Sequence, residues 1–187
     1  MRSRNFTRSE FSLVDNRDKN SERRKQARAE RSRTNNFICI VCGCTYSCAI
    51  ERHHIAGKHY DKLHIEDICA TCHCRLTEAQ RSHPHSINEP PSDIESAAHY
   101  NLGVSDLFAL RARLGEDYGN KLIRITNNRK LAWDKEAKAL TREAGHYLIA
   151  SSACDDRIAS RLRHYADCLI DEARKSKTVT QTAKQRK

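Results

Sequence analysis

The sequence predicts an α+β protein: a small zinc-stapled module followed by a C-terminal region of three helices, with basic, flexible segments at both ends. Three observations carry that expectation. Seven of the nine cysteines fall between Phe37 and Ser82, four of them in two pairs at metal-knuckle spacing. All three prolines, Pro84, Pro90 and Pro91, sit within eight residues and mark a boundary. Beyond them, apolar residues recur at three-, four- and seven-residue steps, the period of a helix face. The implied divisions are a basic arm over 1–36, the metal module over 37–82 and a Pro-rich linker over 83–91. A helical region over 92–174 and a basic tail over 175–187 complete the chain.

Totals narrow the class. A chain of 187 residues holds one domain of ordinary size, or a small domain with an appendage. Apolar residues at 38% and aromatic residues at 6% allow only a modest core. No window approaches 18 consecutive apolar residues, so a membrane span is excluded and no membrane partner is expected. The start, MRSRNFTRSEFSLV, has basic residues with no hydrophobic stretch behind them, so no secretory signal is expected and a cytoplasmic location is. Lys and Arg outnumber Asp and Glu by 34 to 24, a net charge of +10 that favours an anionic partner such as nucleic acid. Nine cysteines, an odd number, in a reducing compartment point to metal rather than to a disulfide framework.

The arm carries eleven basic and five acidic residues. Its stretch Ser21–Arg31, with Arg23, Arg24 and Lys25, has helical propensity but no apolar face to bury. It reads either as a segment that orders on nucleic acid or as a solubilising arm.

In the module, Cys39-Ile40-Val41-Cys42 is followed by Gly43, and Cys69-Ala70-Thr71-Cys72 forms the second pair. A CxxC turn aims two thiolates at one ion, and two such turns supply the closed tetrahedral set that structural zinc prefers. Glycine after the second cysteine relieves the backbone where amides turn towards sulfur. About 45 residues cannot stabilise themselves by core burial alone. Metal ligation, worth about 10–16 kcal/mol at such sites, supplies what is missing. Cys44, Cys48 and Cys74 are within reach of a knuckle and could replace a ligand, or serve as small buried thiols. Cys154 and Cys168, on the helices, read as packing residues.

After the prolines, Ser92-Asp93-Ile94-Glu95 is a capping box that opens a helix. Val104, Leu107, Leu114, Tyr118 and Ile125, with Phe108 and Leu110, form its apolar stripe. Trp133, Ala137, Leu140, Ala144 and Tyr147 form a second, and Ile158, Leu162, Tyr165 and Leu169 a third. Breaks are expected at Asn127-Asn128 and Ser151-Ser152, with Asp155-Asp156 at the start of the third helix. The three helices would pack on one another, on a second copy of the chain or on a partner protein. From Lys175 the tail has five basic residues and no acidic one, and is expected to fray.

Between the knuckles stands Glu51-Arg52-His53-His54-Ile55-Ala56-Gly57, and Cys72 is followed by His73-Cys74-Arg75-Leu76-Thr77. A histidine pair on a zinc scaffold, with a third histidine tied to the last zinc ligand, resembles the HNH endonuclease family in its CxxC…HH…CxxCH form. The resemblance covers 37–82, about a quarter of the chain. Asn101–Phe108 is more weakly similar to a helical extension found in some bacterial members. The resemblance implies a treble-clef-like ββα-metal fold, a hairpin clamped to a helix by zinc. It implies that His54 is the general base and that His53 and His73 hold a catalytic divalent ion, Mg2+ or another. It implies hydrolysis of DNA phosphodiester bonds to 5′-phosphate and 3′-hydroxyl products.

Chemistry supports these roles. Histidine, with an unperturbed pKa of about 6.5, keeps a neutral fraction at pH 7 to accept a proton. A histidine in the first turn of a helix sits where the macrodipole favours a phosphate oxygen. Successive strand residues point to opposite faces, so His53 and His54 serve one site only if the strand ends or kinks between them. Gly57 is consistent with such a turn. The family's middle Asn is absent from Lys58–Ile68; His64 or Asp61 could take its loop-fixing or metal role, while His59 and His64 otherwise read as surface residues.

The expected function is therefore a metal-dependent endonuclease acting on double-stranded DNA. Lys58, Lys62 and Arg75, together with Arg23, Arg24 and Lys25, would contact phosphates, with binding that weakens steeply with salt. No element reads bases, so sequence specificity is expected to be weak or supplied by a partner. A non-catalytic zinc-dependent nucleic-acid-binding module explains the cysteines and the charge equally well, and an interaction subunit built on the helices is a third reading. A thiol oxidoreductase would need a βαβ context that the sequence lacks.

Overall fold

The computed structural model of the chain describes residues 38–46, 49–84, 90–128 and 134–185. The basic arm with Arg23, Arg24 and Lys25, and also Cys48, the middle of the linker and Trp133, lie outside them. The architecture is α+β: a two-stranded antiparallel sheet and three helices, all lying in the order β1 (Ile50–His54), β2 (Ile65–Cys69), α1 (Ala70–Arg81), α2 (Asp93–Thr126) and α3 (Lys135–Gln185).

The strands pair from Ile50 opposite Cys69 to His54 opposite Ile65. Past His54 the chain turns at Ile55-Ala56, with Gly57 at φ +81°, a conformation that only glycine adopts without strain. The same reasoning holds at Gly43, φ +70°, whose N–H donates to the Cys39 carbonyl at 2.8 Å and closes the first knuckle. Ile40 N–H donates to Asp67 O at 3.3 Å and ties that knuckle to β2. β2 runs directly into α1, with Cys69 as the extended N-cap residue.

The core is shared. Cys39, Val41, Ile50, Ile55, Ile68, Cys69, Cys72 and Leu76 pack with Leu107 and Leu110 of α2, flanked by Val104 and Leu114. Val104, Leu107, Leu110 and Leu114 of the α2 stripe thus face the cysteine module rather than another helix, while Tyr118 and Ile125 do not. The approach is closest at Gly103, where a Cβ atom would fall 1.8 Å from the Ile55 carbonyl oxygen. His83, just beyond α1, is buried and lies 2.9 Å from Asp106 of α2, which also pairs with Arg163 of α3. The first residue of the expected linker is therefore an anchor.

Helix α2 begins with the capping box the sequence predicts, the Ser92 hydroxyl and the Glu95 carboxylate satisfying each other's backbone N–H. It ends at Asn127, as expected. The second expected break is absent. α3 is one helix of 51 residues, so the C-terminal region has two long helices, not three. Ser151-Ser152 fails as a break because the buried Ser152 donates its hydroxyl to Leu148 O at 2.7 Å and keeps the backbone helical. Asp155, expected at a helix start, sits mid-helix and pairs with Arg111 at 3.4 Å. The helix also runs on past Lys175, where the basic tail was expected to begin, and Lys177 reaches Glu95 at 2.9 Å.

α2 and α3 form an antiparallel hairpin, with Glu95 opposite Lys177, Ser105 opposite Ala159 and Asn127 opposite Arg142. The seam consists of small side chains. Ala98, Ser105, Ala112, Gly119 and Thr126 on α2 are buried at steps of seven, and so are Gly145, Ser152, Ala159, Ala166 and Ala173 on α3. A strict seven-residue repeat imposes a left-handed supercoil. Small residues let the backbones close up: a Cβ on Gly119 would lie 2.6 Å from Gly145 O. The large apolar residues that suggested the stripes, Tyr118, Ile125, Leu140, Tyr147, Ile158 and Tyr165, remain between 41 and 73% exposed. Cys154 and Cys168 are exposed too, and so are not the packing residues the sequence suggests.

Candidate metal centre and histidine cluster

One turn and one strand-to-helix junction bring Cys39, Cys42, Cys69 and Cys72 together, with every sulfur within 4.8 Å of the others. Cys42 and Cys69 are 3.6 Å apart, close to the roughly 3.8 Å edge of a tetrahedron with zinc–sulfur arms of about 2.3 Å. The donor set therefore fits a metal ion such as structural zinc. Burial raises the Cys39 thiol, but the backbone N–H groups of Cys69, Cys42 and Val41 outweigh it and hold that thiol below its ordinary value. Burial, joined by the thiols of Cys39 and Cys69, pushes Cys42 up to about 11, and burial with its sulfur neighbours raises Cys72 as well. Four crowded sulfurs resist ionising together, and a cation among them removes that resistance. Cys44 is half-buried against the core and Cys74 is exposed; neither belongs to the cluster.

The same hairpin and helix position the histidines. His53 on β1 is 4% exposed, and its ring meets that of His73, in the first turn of α1, edge to face at 5.0 Å. Glu51, two residues earlier on β1, holds His73 Nδ1 at 3.0 Å. Burial first, then the rings of His73 and His54, push His53 down to about 4, so it is neutral at pH 7 with a lone pair to offer. That lone pair has a neighbour. The Gln80 amide nitrogen donates to His54 O at 2.9 Å and Ile55 O at 2.7 Å, and stands 3.1 Å from His53 Nε2. An amide nitrogen carries two N–H groups, and the two shorter contacts, to the carbonyls, account for both, so His53 Nε2 lies beside Gln80 without an N–H of its own to accept.

His54 keeps its place in the strand register, opposite Ile65, and the chain turns after it rather than between the two histidines. The expected kink is thus one residue late. Its Nδ1 is buried and unpartnered among the described residues. Among those residues the four cysteines are the one group of three or more ligating side chains gathered within 4.8 Å; His53, His73 and Glu51 are more loosely arranged.

Between the strands, Asp61 fixes the loop. Its carboxylate accepts from Leu63 N–H at 2.7 Å and His64 N–H at 3.3 Å, and pairs with the His64 ring. Burial raises its carboxyl, but these bonds together outweigh it and hold the group below the usual range. Lys58 and Lys62 are exposed on this loop. Arg75, also exposed, lines a cleft between α1 and the hairpin with Arg113 and Arg163 rather than the histidine cluster. Sequence reasoning missed Glu51 and Gln80. Their signals were present: Glu51 is two residues before His53 on one strand face, and Gln80 is seven residues after His73 on one helix face.

Compared with models of protein families, with curated proteins and with solved structures, the chain shows no match in any of the three.

Proposed function

We propose that the chain is a metal-dependent endonuclease of the HNH type that hydrolyses DNA phosphodiester bonds. The observation that carries this reading is the meeting of His53 and His73 at 5.0 Å beside Glu51, on a strand and a helix joined at the cysteine cluster. The structural zinc, on Cys39, Cys42, Cys69 and Cys72, joins hairpin to helix. His53 and His73 would hold a divalent ion such as Mg2+, with Glu51 orienting the His73 ring as carboxylates orient ligating histidines. Such an ion, when bound, supplies a Lewis acid for the charge that builds on the phosphate oxygens. Release of Gln80 frees His53 Nε2 for that role.

His54 would be the general base, its imidazole taking a proton from the attacking water and handing it to solvent; because the chain turns only after His54, that role requires the end of β1 to open so that the ring reaches the His53 face. Asp61 stands in for the family's middle Asn by fixing the loop through two backbone N–H groups. Lys58 and Lys62 neutralise phosphates next to the site, and the net charge of +10 draws the polyanion in.

A second reading, a zinc module that binds nucleic acid without cutting it, is favoured by one observation: the Gln80 amide, tied to two backbone carbonyls, crowds His53 Nε2 at 3.1 Å. Plasmid cleavage by wild type and His54→Ala, in Mg2+, Mn2+ or EDTA and with zinc content measured, separates the two. Metal-dependent nicking that is lost in the variant at equal zinc supports the nuclease. Zinc in both proteins with cleavage in neither supports the binding module.

A further inference from the structure

Beside the histidine cluster lies a second feature, a cavity of about 410 Å3 bounded by the Lys58-His59-Tyr60 turn, by Thr77, Gln80 and Arg81 of α1 and by His99 of α2. Its chemistry is selective. No carboxylate lines it, while Lys58 does and so does Arg81, whose guanidinium also pairs with Glu78 at 3.2 Å outside the lining, so Lys58 is its principal attraction for an anion. One side is aromatic: Tyr60 and His99 line it, their rings stacked on each other at 3.5 Å with 8° between their planes and both largely buried, so a base would meet the outer face or edge of the pair. The Thr77 hydroxyl and the exposed His59 ring add hydrogen-bonding groups at its edge. The volume suits a ligand of nucleotide size, since small-molecule sites begin at about 300 Å3. An inorganic anion would leave the aromatic side unused, and an apolar ligand would leave the two cations unused.

The cavity also shares a wall with the proposed catalytic residues. Gln80, 3.1 Å from His53 Nε2, lines it, and Gly57 follows His54 by three residues. We infer that the cavity receives one unstacked nucleotide of the substrate strand, its base against the Tyr60–His99 pair and its phosphate at Lys58 and Arg81. The inference rests on the nuclease reading and sharpens it: the preferred substrate is single-stranded or locally opened nucleic acid, because a base must leave its stack to enter.

The test uses the full, zinc-loaded chain with no other divalent ion added, so that binding is read without turnover. Anisotropy of a labelled oligonucleotide compares a single strand with its own duplex, and free deoxyadenosine monophosphate serves as competitor. The variants are Lys58→Glu, Thr77→Phe to fill the cavity, and Lys138→Glu, a charge control at the far end of the hairpin; zinc content and melting verify each. The single strand is expected to bind at least about tenfold tighter than the duplex; Thr77→Phe is expected to weaken it by about tenfold, the scale of one stacked base, and Lys58→Glu, which puts a carboxylate where the phosphate would sit, by about as much. Lys138→Glu, which makes the same two-unit charge change away from the cavity, is expected to change it by less than about threefold. Duplex binding as tight as single-strand binding overturns the inference, as does a Lys58→Glu loss no larger than that of the control. Competition by the free nucleotide as effective as that by the strand identifies the free nucleotide as occupant and overturns the strand assignment. If Thr77→Phe fails to fold, Lys58→Glu decides alone. Plasmid hydrolysis with no single-strand preference leaves the nuclease reading standing and sinks this one; Lys58-dependent strand binding without hydrolysis under any metal does the reverse.

Discussion

Replacing Gly103 by alanine pits two physical effects against each other. In an exposed helix interior the change stabilises by about 0.8–1 kcal/mol, because alanine loses less backbone entropy. Here the new Cβ would lie 1.8 Å from Ile55 O, 2.6 Å from Ile55 C and 3.1 Å from Ile55 Cγ2. Two of those atoms are backbone, and no rotamer change moves them. Restoring ordinary contact requires the turn and α2 to separate by more than an ångström. The turn cannot shift alone, because Gln80 holds the carbonyls of His54 and Ile55 at 2.9 and 2.7 Å. Separation also opens the packing of Ile55 against Leu107 and Leu110. Overpacking of this kind costs about 1–3 kcal/mol and more where backbone must move. We expect a net loss of about 3 kcal/mol, or a fall in melting temperature of about 6–12 °C for a chain of this size.

The same substitution at two other glycines gives a graded series in one assay, thermal and urea unfolding followed by circular dichroism. At Gly119 the Cβ would meet Gly145 O at 2.6 Å and the flexible Ile149 Cγ1 at 2.7 Å, so an intermediate loss is expected. At Gly115 its one close neighbour is the Ser152 hydroxyl at 2.3 Å, which rotates away, and the helix-propensity gain leaves the change near neutral. A Gly103→Ala protein that melts within about 2 °C of wild type would refute the reasoning, since one kcal/mol already moves the midpoint by about that much. So would a reversed order across the three positions.

Other perturbations probe other parts of the molecule. Cys39→Ser removes a buried sulfur of the cysteine cluster; elemental analysis is expected to find zinc in the wild type and none in the variant, and unfolding of the module to separate from that of the hairpin, whose helical circular dichroism persists. Glu51→Gln leaves His73 without its carboxylate, and calorimetric titration with Mn2+ is expected to show a 10–100-fold weaker site, roughly the cost of losing such a partner; unchanged affinity would remove Glu51 from the site. The Glu95 carboxyl is held at about 2, chiefly by Lys177 and then by the Ser92 N–H. Because its folded value lies below the unfolded one, its contribution is full above about pH 4.5 and is lost as pH falls towards 2. Lys177→Met is therefore expected to flatten the pH dependence of urea stability in that window, by at most about 1 kcal/mol given the exposure of the lysine. Asp61→Ala leaves two backbone N–H groups of the loop without their acceptor, and a loss of about 1–2 kcal/mol with faster amide exchange at Leu63 and His64 is expected.

Legibility in the sequence followed how local the cause was. The cysteine pairs, the glycine of the first knuckle, the capping box at Ser92 and the end of α2 at Asn127 each depend on a few adjacent residues, and the structure bears them out. The hairpin's seam was misread because large apolar residues draw attention, while the contact is made by alanine, serine and glycine. Its signal was the seven-residue recurrence of small side chains, which a hydrophobicity pattern does not register. Ser151-Ser152 looked like a break for a related reason, since serine's preference for caps is overridden when its hydroxyl bonds back along the helix and its size fits opposite Gly115. Glu51 and Gln80 could be seen only as partners of histidines, and the strand-to-helix geometry that makes them partners is tertiary.

The contact between Gly103 and Ile55 also has a mechanical consequence. It leaves no clearance between the hairpin and the turn that follows the two adjacent histidines, so α2 acts as a lever that pivots where Leu107 and Leu110 meet the module and bears on that turn with its short end. From Gly103 to Thr126 the lever extends about 35 Å at 1.5 Å per residue. Tilting the far end by a few ångströms displaces the Ile55 carbonyl by a fraction of one, comparable with the slack in the hydrogen bonds by which Gln80 holds His54 and Ile55. Whatever presses on the exposed tyrosines and leucine of the distal hairpin, Tyr118, Leu140 and Tyr147, therefore strains or relaxes the histidine cluster at the other end.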